Sequence, residues 1–291
     1  MNRSLQAFAL AAASLLSLGL VACSQPPPES VGDDWAGPQG TWQQVFIDDF
    51  NGPAGSLPDA GSWNEEINGK PDNQEEEYYT NRPSNVALDG NGNLVIQALS
   101  EHYEYATGLI SGQPYTSGRI DTQGKVETTY GRIEARIKLP AGKGLWPAFW
   151  LLGDNIGTVG WPACGEIDIF EMAGSTPNAV NGSMHAPGYS GTAALTERFT
   201  LDSGTFADDY HIFALEWTAD GMRWFVDDNI YHVRTKTGMA SIGKTWIFDH
   251  PFYVILNLAV GGLYDGNPDS STQFPAQMLV DYVKVSKLIP N

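Results

Sequence analysis

Between Trp42 and Val285 the chain is a succession of short apolar runs, each cut off by Gly, Asp or Asn before a helical period can establish itself. The runs cover 44–50, 93–98, 131–138, 148–152, 165–172, 211–218, 222–227, 231–234, 252–258 and 278–286. Asp89-Gly90-Asn91-Gly92, Ala219-Asp220-Gly221 and Asp227-Asp228-Asn229 are the clearest interruptions, and 214–226 reads as two strands joined by an Asp-Gly turn. No long amphipathic helix pattern follows residue 40, and no break in composition divides 42–285. This pattern predicts one all-β sandwich of antiparallel sheets. Strand order is not readable from it.

One run carries a conflict. Gly165-Glu166-Ile167-Asp168-Ile169-Phe170-Glu171 sets three acids among β-branched and aromatic residues. Side chains alternate along a strand, so Glu166 and Asp168 share a face, and strict alternation sends Glu171 to the face of the isoleucines. A charge there is costly. One extra residue between Asp168 and Glu171, a β-bulge, returns all three acids to one face. It also shortens the reach from Glu166 to Glu171 from about 16 Å to about 13 Å. Side chains leaning inward then bring the two carboxyl groups to about 5 Å, the spacing of a retaining glycosidase. A solvent-facing acidic edge remains the alternative on these residues alone.

Composition narrows the partners. Against 34 Asp and Glu stand only 16 Lys and Arg, a net charge of −18 that opposes nucleic acid and other polyanions. The first 23 residues read as a targeting signal: Asn2-Arg3, an apolar stretch to Ala22, then Leu20-Val21-Ala22-Cys23. That ending resembles the bacterial lipoprotein box, in which Cys23 would be lipidated, and Ser24 implies the outer membrane. An ordinary secretory signal and a secreted protein are the alternative. Residues 24–40, with Pro26-Pro27-Pro28, read as a tether, and 41–288 as one folded domain. With Cys23 lipidated, Cys164 is left without a disulfide partner in the chain, and a monomer is expected.

Longer blocks carry a likeness. Tyr130-Gly131-Arg132-Ile133-Glu134-Ala135-Arg136, Gly144-Leu145-Trp146-Pro147-Ala148-Phe149-Trp150-Leu151-Leu152-Gly153, and Gly160-Trp161-Pro162-Ala163-Cys164-Gly165 leading into the acidic run form the strongest part. Ala214-Leu215-Glu216-Trp217, Ile255-Leu256-Asn257-Leu258-Ala259-Val260-Gly261-Gly262, Phe274-Pro275 and Val280-Asp281-Tyr282-Val283 continue it. The chain resembles glycoside hydrolase family 16, and within it the laminarinase-like endo-β-1,3-glucanases. The resemblance implies a β-jelly roll of two curved antiparallel sheets with a substrate groove on the concave face.

It also implies roles. Glu166 would be the nucleophile, Glu171 the general acid/base, and Asp168 the acid between them. Trp146, Trp150 and Trp161 would stack on sugar rings in the groove. Arg119, His185 and Asn257 match groove positions, and Asp49, the Gly92 carbonyl and Asp281 match ligands of a structural calcium ion on the far face. No cofactor is implied for catalysis. The chain departs from the pattern at Glu76 and Glu77, which replace Leu and Gln, and at 263–273, which lacks the usual Asn-Trp-Pro-Gly. The expected activity is retaining endo-hydrolysis of β-1,3-glucan. Mixed-linkage β-glucan, an algal galactan, or non-catalytic β-glucan binding are the alternatives.

Overall fold

The computed structural model describes residues 35–69, 72–104 and 112–291. The expected signal segment and Cys23, with most of the expected tether, lie outside these residues. Among the described residues the short apolar runs become strands: β1 (Thr41–Asp48), β2 (Asn64–Glu65), β3 (Glu77–Tyr79), β4 (Val86–Leu88), β5 (Leu94–Tyr103) and β6 (Gln113–Ser117). Next come β7 (Arg119–Asp121), β8 (Glu127–Thr128), β9 (Gly131–Lys138), β10 (Leu145–Gly153), β11 (Glu166–Glu171) and β12 (Ala179–His185). The last six are β13 (Leu195–Thr200), β14 (His211–Trp217), β15 (Gly221–Val226), β16 (Asn229–Thr235), β17 (Phe252–Val260) and β18 (Ala276–Ile289). Helix is confined to short pieces such as α1 (Ile156–Val159) and α2 (Lys236–Ser241).

The strands form two sheets. One has ten strands, in the order β16-β15-β14-β9-β18-β5-β6-β3 with β1 beside β18 and β4 beside β5. The other has eight, in the order β13-β12-β11-β10-β17-β7-β2 with β8 beside β17. Pairing is antiparallel except between β3 and β6, which run parallel. The expected 214–226 hairpin is β14 and β15, with Leu215 opposite Trp224.

Period-two alternation fills the space between the sheets. Ile133, Ala135 and Ile137 of β9, Phe213, Leu215 and Trp217 of β14, and Leu256, Leu258 and Val260 of β17 belong to one buried cluster. Each such aliphatic or aromatic side chain contributes about 1.5–3 kcal/mol by leaving water. In β17 all nine residues are buried, because one face meets the core while the other floors a cleft. The eight-stranded sheet therefore has two covered faces at its centre, and the site lies on the outer one.

Candidate active site

The bulge is present where parity requires it. Against β10, Phe149 faces Phe170 but the next residue, Trp150, faces Asp168. Against β12, Asp168 faces Ser183 and Glu171 faces Asn181, so three steps on β11 match two on its neighbour. Ile169 is the extra residue. Ile167, Ile169 and Phe170 all enter the core, while Glu166, Asp168 and Glu171 line the cleft. Phe170 packs on Phe213 with ring centroids 4.2 Å apart. Burying Ile169 and Phe170 together supplies about 3–6 kcal/mol, more than the roughly 1 kcal/mol of a ladder hydrogen bond that the bulge interrupts.

The acids have few positive neighbours. Trp161 Nε1 donates to Glu166 Oε2 at 3.0 Å and Trp146 Nε1 donates to Glu171 Oε1 at 3.0 Å. His185 Nε2 lies 3.1 Å from Asp168 Oδ2 and 3.5 Å from Glu166 Oε1. The Gly191 N–H donates to His185 Nδ1, so a neutral ring carries its proton on Nε2, toward the acids. Asp168 Oδ2 is buried, and even His185 does not meet it with hydrogen-bond geometry. Burial pushes Glu166, Asp168 and Glu171 each up to about 8. Repulsion from Asp168 adds to this at both glutamates, while His185 and the indole donors oppose it. The three form one coupled set that retains protons at neutral pH.

The cleft, of about 910 Å³, gathers every expected catalytic and groove residue: the three acids, Trp146, Trp150, Trp161, Arg119, His185 and Asn257. Their surroundings differ from one another. Trp161 is 48% exposed and stands over the acids as an open platform. Trp146 stacks on Tyr264, with centroids 4.7 Å apart and planes 18° apart. Trp150 donates to Asn257 Oδ1 at 2.8 Å, and Asn257 Nδ2 donates to the Tyr79 hydroxyl at 3.2 Å. Asn257 thus spends its amide on the protein and braces Trp150. Arg119 pairs with Glu66 at 2.7 Å and lies 5.0 Å over the Trp150 ring, so it too is engaged in the wall.

Sequence reasoning missed Tyr264, Glu66, Tyr79 and Glu75. Tyr264 sits in the 263–273 insert, and its hydroxyl accepts from Asn181 at 2.5 Å. Its neighbour Asp265 accepts the backbone N–H of Gly144 at 2.7 Å and of Ser175 at 3.0 Å, which ties the insert to the rim. An aromatic directly after Gly261-Gly262-Leu263 was the available signal.

Two places invite a cation. Atoms of Glu166, Asp168 and His185 lie within 4.8 Å of one another, but the Gly191 N–H at Nδ1 leaves the proton of a neutral His185 ring on Nε2, the nitrogen that faces both acids. On the ten-stranded sheet, a methyl on Gly92 would meet Asn51 Oδ1 at 3.6 Å and the Asp49 carbonyl at 4.0 Å, which brings two of the calcium candidates together. Asp281 carries hard oxygen donors, yet Arg136 Nη1 already binds its Oδ2 at 2.8 Å. The donor chemistry fits calcium, and the guanidinium competes with it at Asp281.

Residues 73–284 match the family model of glycosyl hydrolases family 16. A β-glucanase from Rhodothermus marinus is 38% identical over 284 residues, covering 95% of this chain and 94% of that relative. Among solved structures, the catalytic domain of an endo-1,3-β-glucanase (laminarinase) from Thermotoga petrophila RKU-1 superposes with a TM-score of 0.80 at 45% identity, over 86% of this chain and 99% of that one. An endo-β-1,3-glucanase from Pyrococcus furiosus gives a TM-score of 0.82 at 45% identity, over 87% and 97%. With its acids brought to one face of a two-sheet jelly roll, the chain belongs to glycosyl hydrolases family 16.

Proposed function

We propose that this protein is a retaining endo-hydrolase of β-1,3-glucan. The observation that carries the reading is the bulge at Ile169, which turns Glu166, Asp168 and Glu171 into a cleft flanked by tryptophans. In the first step a Glu166 oxygen attacks the anomeric carbon while Glu171 gives its proton to the departing glycosidic oxygen. A covalent glycosyl ester forms and the aglycone leaves as an alcohol. In the second step Glu171 takes a proton from water, the hydroxide attacks the same carbon, and Glu166 is released as a carboxylate. Net retention follows from two inversions.

The proton inventory suits this division. Glu171 has one oxygen held by the Trp146 N–H, and its other oxygen can carry the proton. Glu166 receives the Trp161 N–H and faces His185, donors that favour its ionised form within the set. Asp168, whose buried Oδ2 lacks a hydrogen bond, is the group suited to hold the remaining proton. Trp161 and Trp146 offer apolar faces to the C–H faces of the sugar on either side of the acids.

We also carry forward as proposals the catalytic unit 41–288, the calcium site at Asp49, Gly92 and Asp281, a monomeric state, and lipidation at Cys23 with outer-membrane anchoring. The first test is to offer laminarin, lichenan, agarose and carrageenan and to follow the anomeric configuration of the first products. β-Configured products from laminarin are expected, and Glu166→Gln should lower turnover on the order of 10⁴-fold or more while thermal unfolding stays cooperative. Near-wild-type turnover by that variant would rule the assignment out.

A further inference from the structure

A bulge leaves backbone groups without ladder partners, and a buried carbonyl left alone is costly. In β11 the carbonyls at the irregularity belong to Asp168 and Ile169. Both are satisfied from the opposite sheet. Trp224 Nε1, on β15, donates to the Asp168 carbonyl at 2.9 Å, and the Tyr231 hydroxyl, on β16, donates to the Ile169 carbonyl at 2.9 Å.

The donors come from a second irregularity. Trp224 faces His232 but the next residue, Phe225, faces Ile230, so Tyr231 is the extra residue of β16. The extra residue of one sheet thus bonds the extra residue of the other. Passage between them depends on Gly182 of β12, where an added Cβ would lie 2.4 Å from the Tyr231 hydroxyl oxygen and 2.9 Å from Trp224 Cδ1. The Gly182 carbonyl accepts from His232 Nδ1 at 3.1 Å, and His232 stacks on Trp224 with centroids 4.2 Å apart. His232 thereby holds the indole in place.

We propose that Trp224 and Tyr231, reaching past Gly182, latch the β11 bulge from the opposite sheet and set the direction of Glu171 relative to Glu166. The inference rests on the hydrolase reading above. Parity supplies the mechanism: a strand that slips toward regular pairing at Ile169 carries Glu171 toward the core face and leaves Glu166, on the other side of the bulge, where it was. Trp224 and Tyr231 are positioning residues, since each acts through the backbone of β11. Loss of the latch should therefore weaken acid catalysis more than nucleophilic attack.

Tyr231→Phe removes a single oxygen and keeps the ring, and Trp224→Phe is the companion variant. For each, kcat/KM is measured on laminarin and on a 2,4-dinitrophenyl β-laminaribioside, whose leaving group departs without protonation. Backbone amide exchange of Phe170 and Glu171 is followed alongside. The latch predicts about a tenfold loss on laminarin, a change within about twofold on the dinitrophenyl glycoside, and faster exchange at these two amides. Equal losses on both substrates, or no loss on either, would overturn it. If the wild-type protein cleaves neither compound, the hydrolase reading fails, and amide exchange alone decides the latch: faster exchange confined to the bulge supports it, and unchanged exchange sinks it.

Discussion

Two groups of strand-borne acids in this molecule have opposite surroundings. On the ten-stranded sheet, Glu134 is bound by Arg132 Nε at 2.6 Å, Lys284 Nζ at 2.5 Å and the Tyr282 hydroxyl at 3.1 Å. Its neighbour Glu216 is bound by Arg132 at 3.0 Å, by Trp42 Nε1 at 3.2 Å and by Arg223. Burial would push the Glu134 carboxyl up, but the bonds from Lys284 and Arg132 outweigh it and hold it below the usual range. In the cleft, Glu166, Asp168 and Glu171 have indole N–H groups and a histidine, and among the described residues no Lys or Arg pairs with them. The same side chain on the same kind of strand is thus a fixed anion in one place and a proton carrier in the other. The presence of a bonded cation decides which.

The sharpest break of that contrast comes at Glu171. Replacing it by Gln keeps the acceptor for the Trp146 N–H and removes the proton, so hydrolysis of laminarin should fall by about 10³-fold. Stability should move the other way. An acid whose folded value is raised to about 8 from 4.5 binds more protons folded than unfolded. Its contribution is therefore complete below about 4.5 and is lost as pH rises toward about 8. Thermal unfolding of Glu171→Gln should match the wild type near pH 4 and exceed it near pH 8 on the order of 2 kcal/mol. A variant that is less stable at pH 8 would mean that the wild-type acid is ionised and paired there.

Glu134→Gln probes the opposite sign. Removing this anion leaves Arg132 and Lys284 short of a partner, and urea unfolding at pH 7 should show a loss of about 3 kcal/mol. Since the wild-type group is held below its ordinary value, its contribution is present above that value and disappears as pH falls through the folded one. The gap between wild type and variant should close in acid, while kcat stays within about twofold of wild type. A drop in kcat without loss of stability would contradict a purely structural role.

How much of this was legible differs with length and context. The cleft acids were readable because period two makes a three-acid run self-contradictory without an extra residue, and the bulge at Ile169 resolves it. Runs such as 131–138 and 252–258 were readable as strands for the same reason. By contrast β2, β3, β4, β7 and β8 are two or three residues long and carry no period at all. β12 was overlooked as a run because Asn181, Gly182 and Ser183 are poor strand formers. Its Gly182 is needed so that Tyr231 and Trp224 can pass, a requirement set by residues 49 and 42 positions further along the chain. The cations around Glu134 and Glu216 were equally unreadable, since Arg223 and Lys284 arrive through strand pairing.

Glu77 supplies the finest test of the comparison, because it is buried, lacks a bonded cation and yet stands apart from the acid run. It is fully buried in β3; its Oε2 accepts the Val260 N–H at 2.7 Å, and its Oε1 has no hydrogen-bond partner among the described residues. Burial first, and repulsion from the neighbouring Glu75 second, raise it well above the usual value, which favours its protonated form. The resemblance noted above puts Gln at this position. Glu77→Gln keeps the acceptor for Val260 and gives Glu75 an N–H in place of the O–H. Stability should be unchanged near pH 4 and higher by about 1 kcal/mol at pH 8, with activity on laminarin within about twofold. That outcome would make exposure to the cleft, on top of a missing cation, the mark of a working acid. A loss of activity of tenfold or more would instead place Glu77 in the proton inventory of the cleft through Glu75, which lines it.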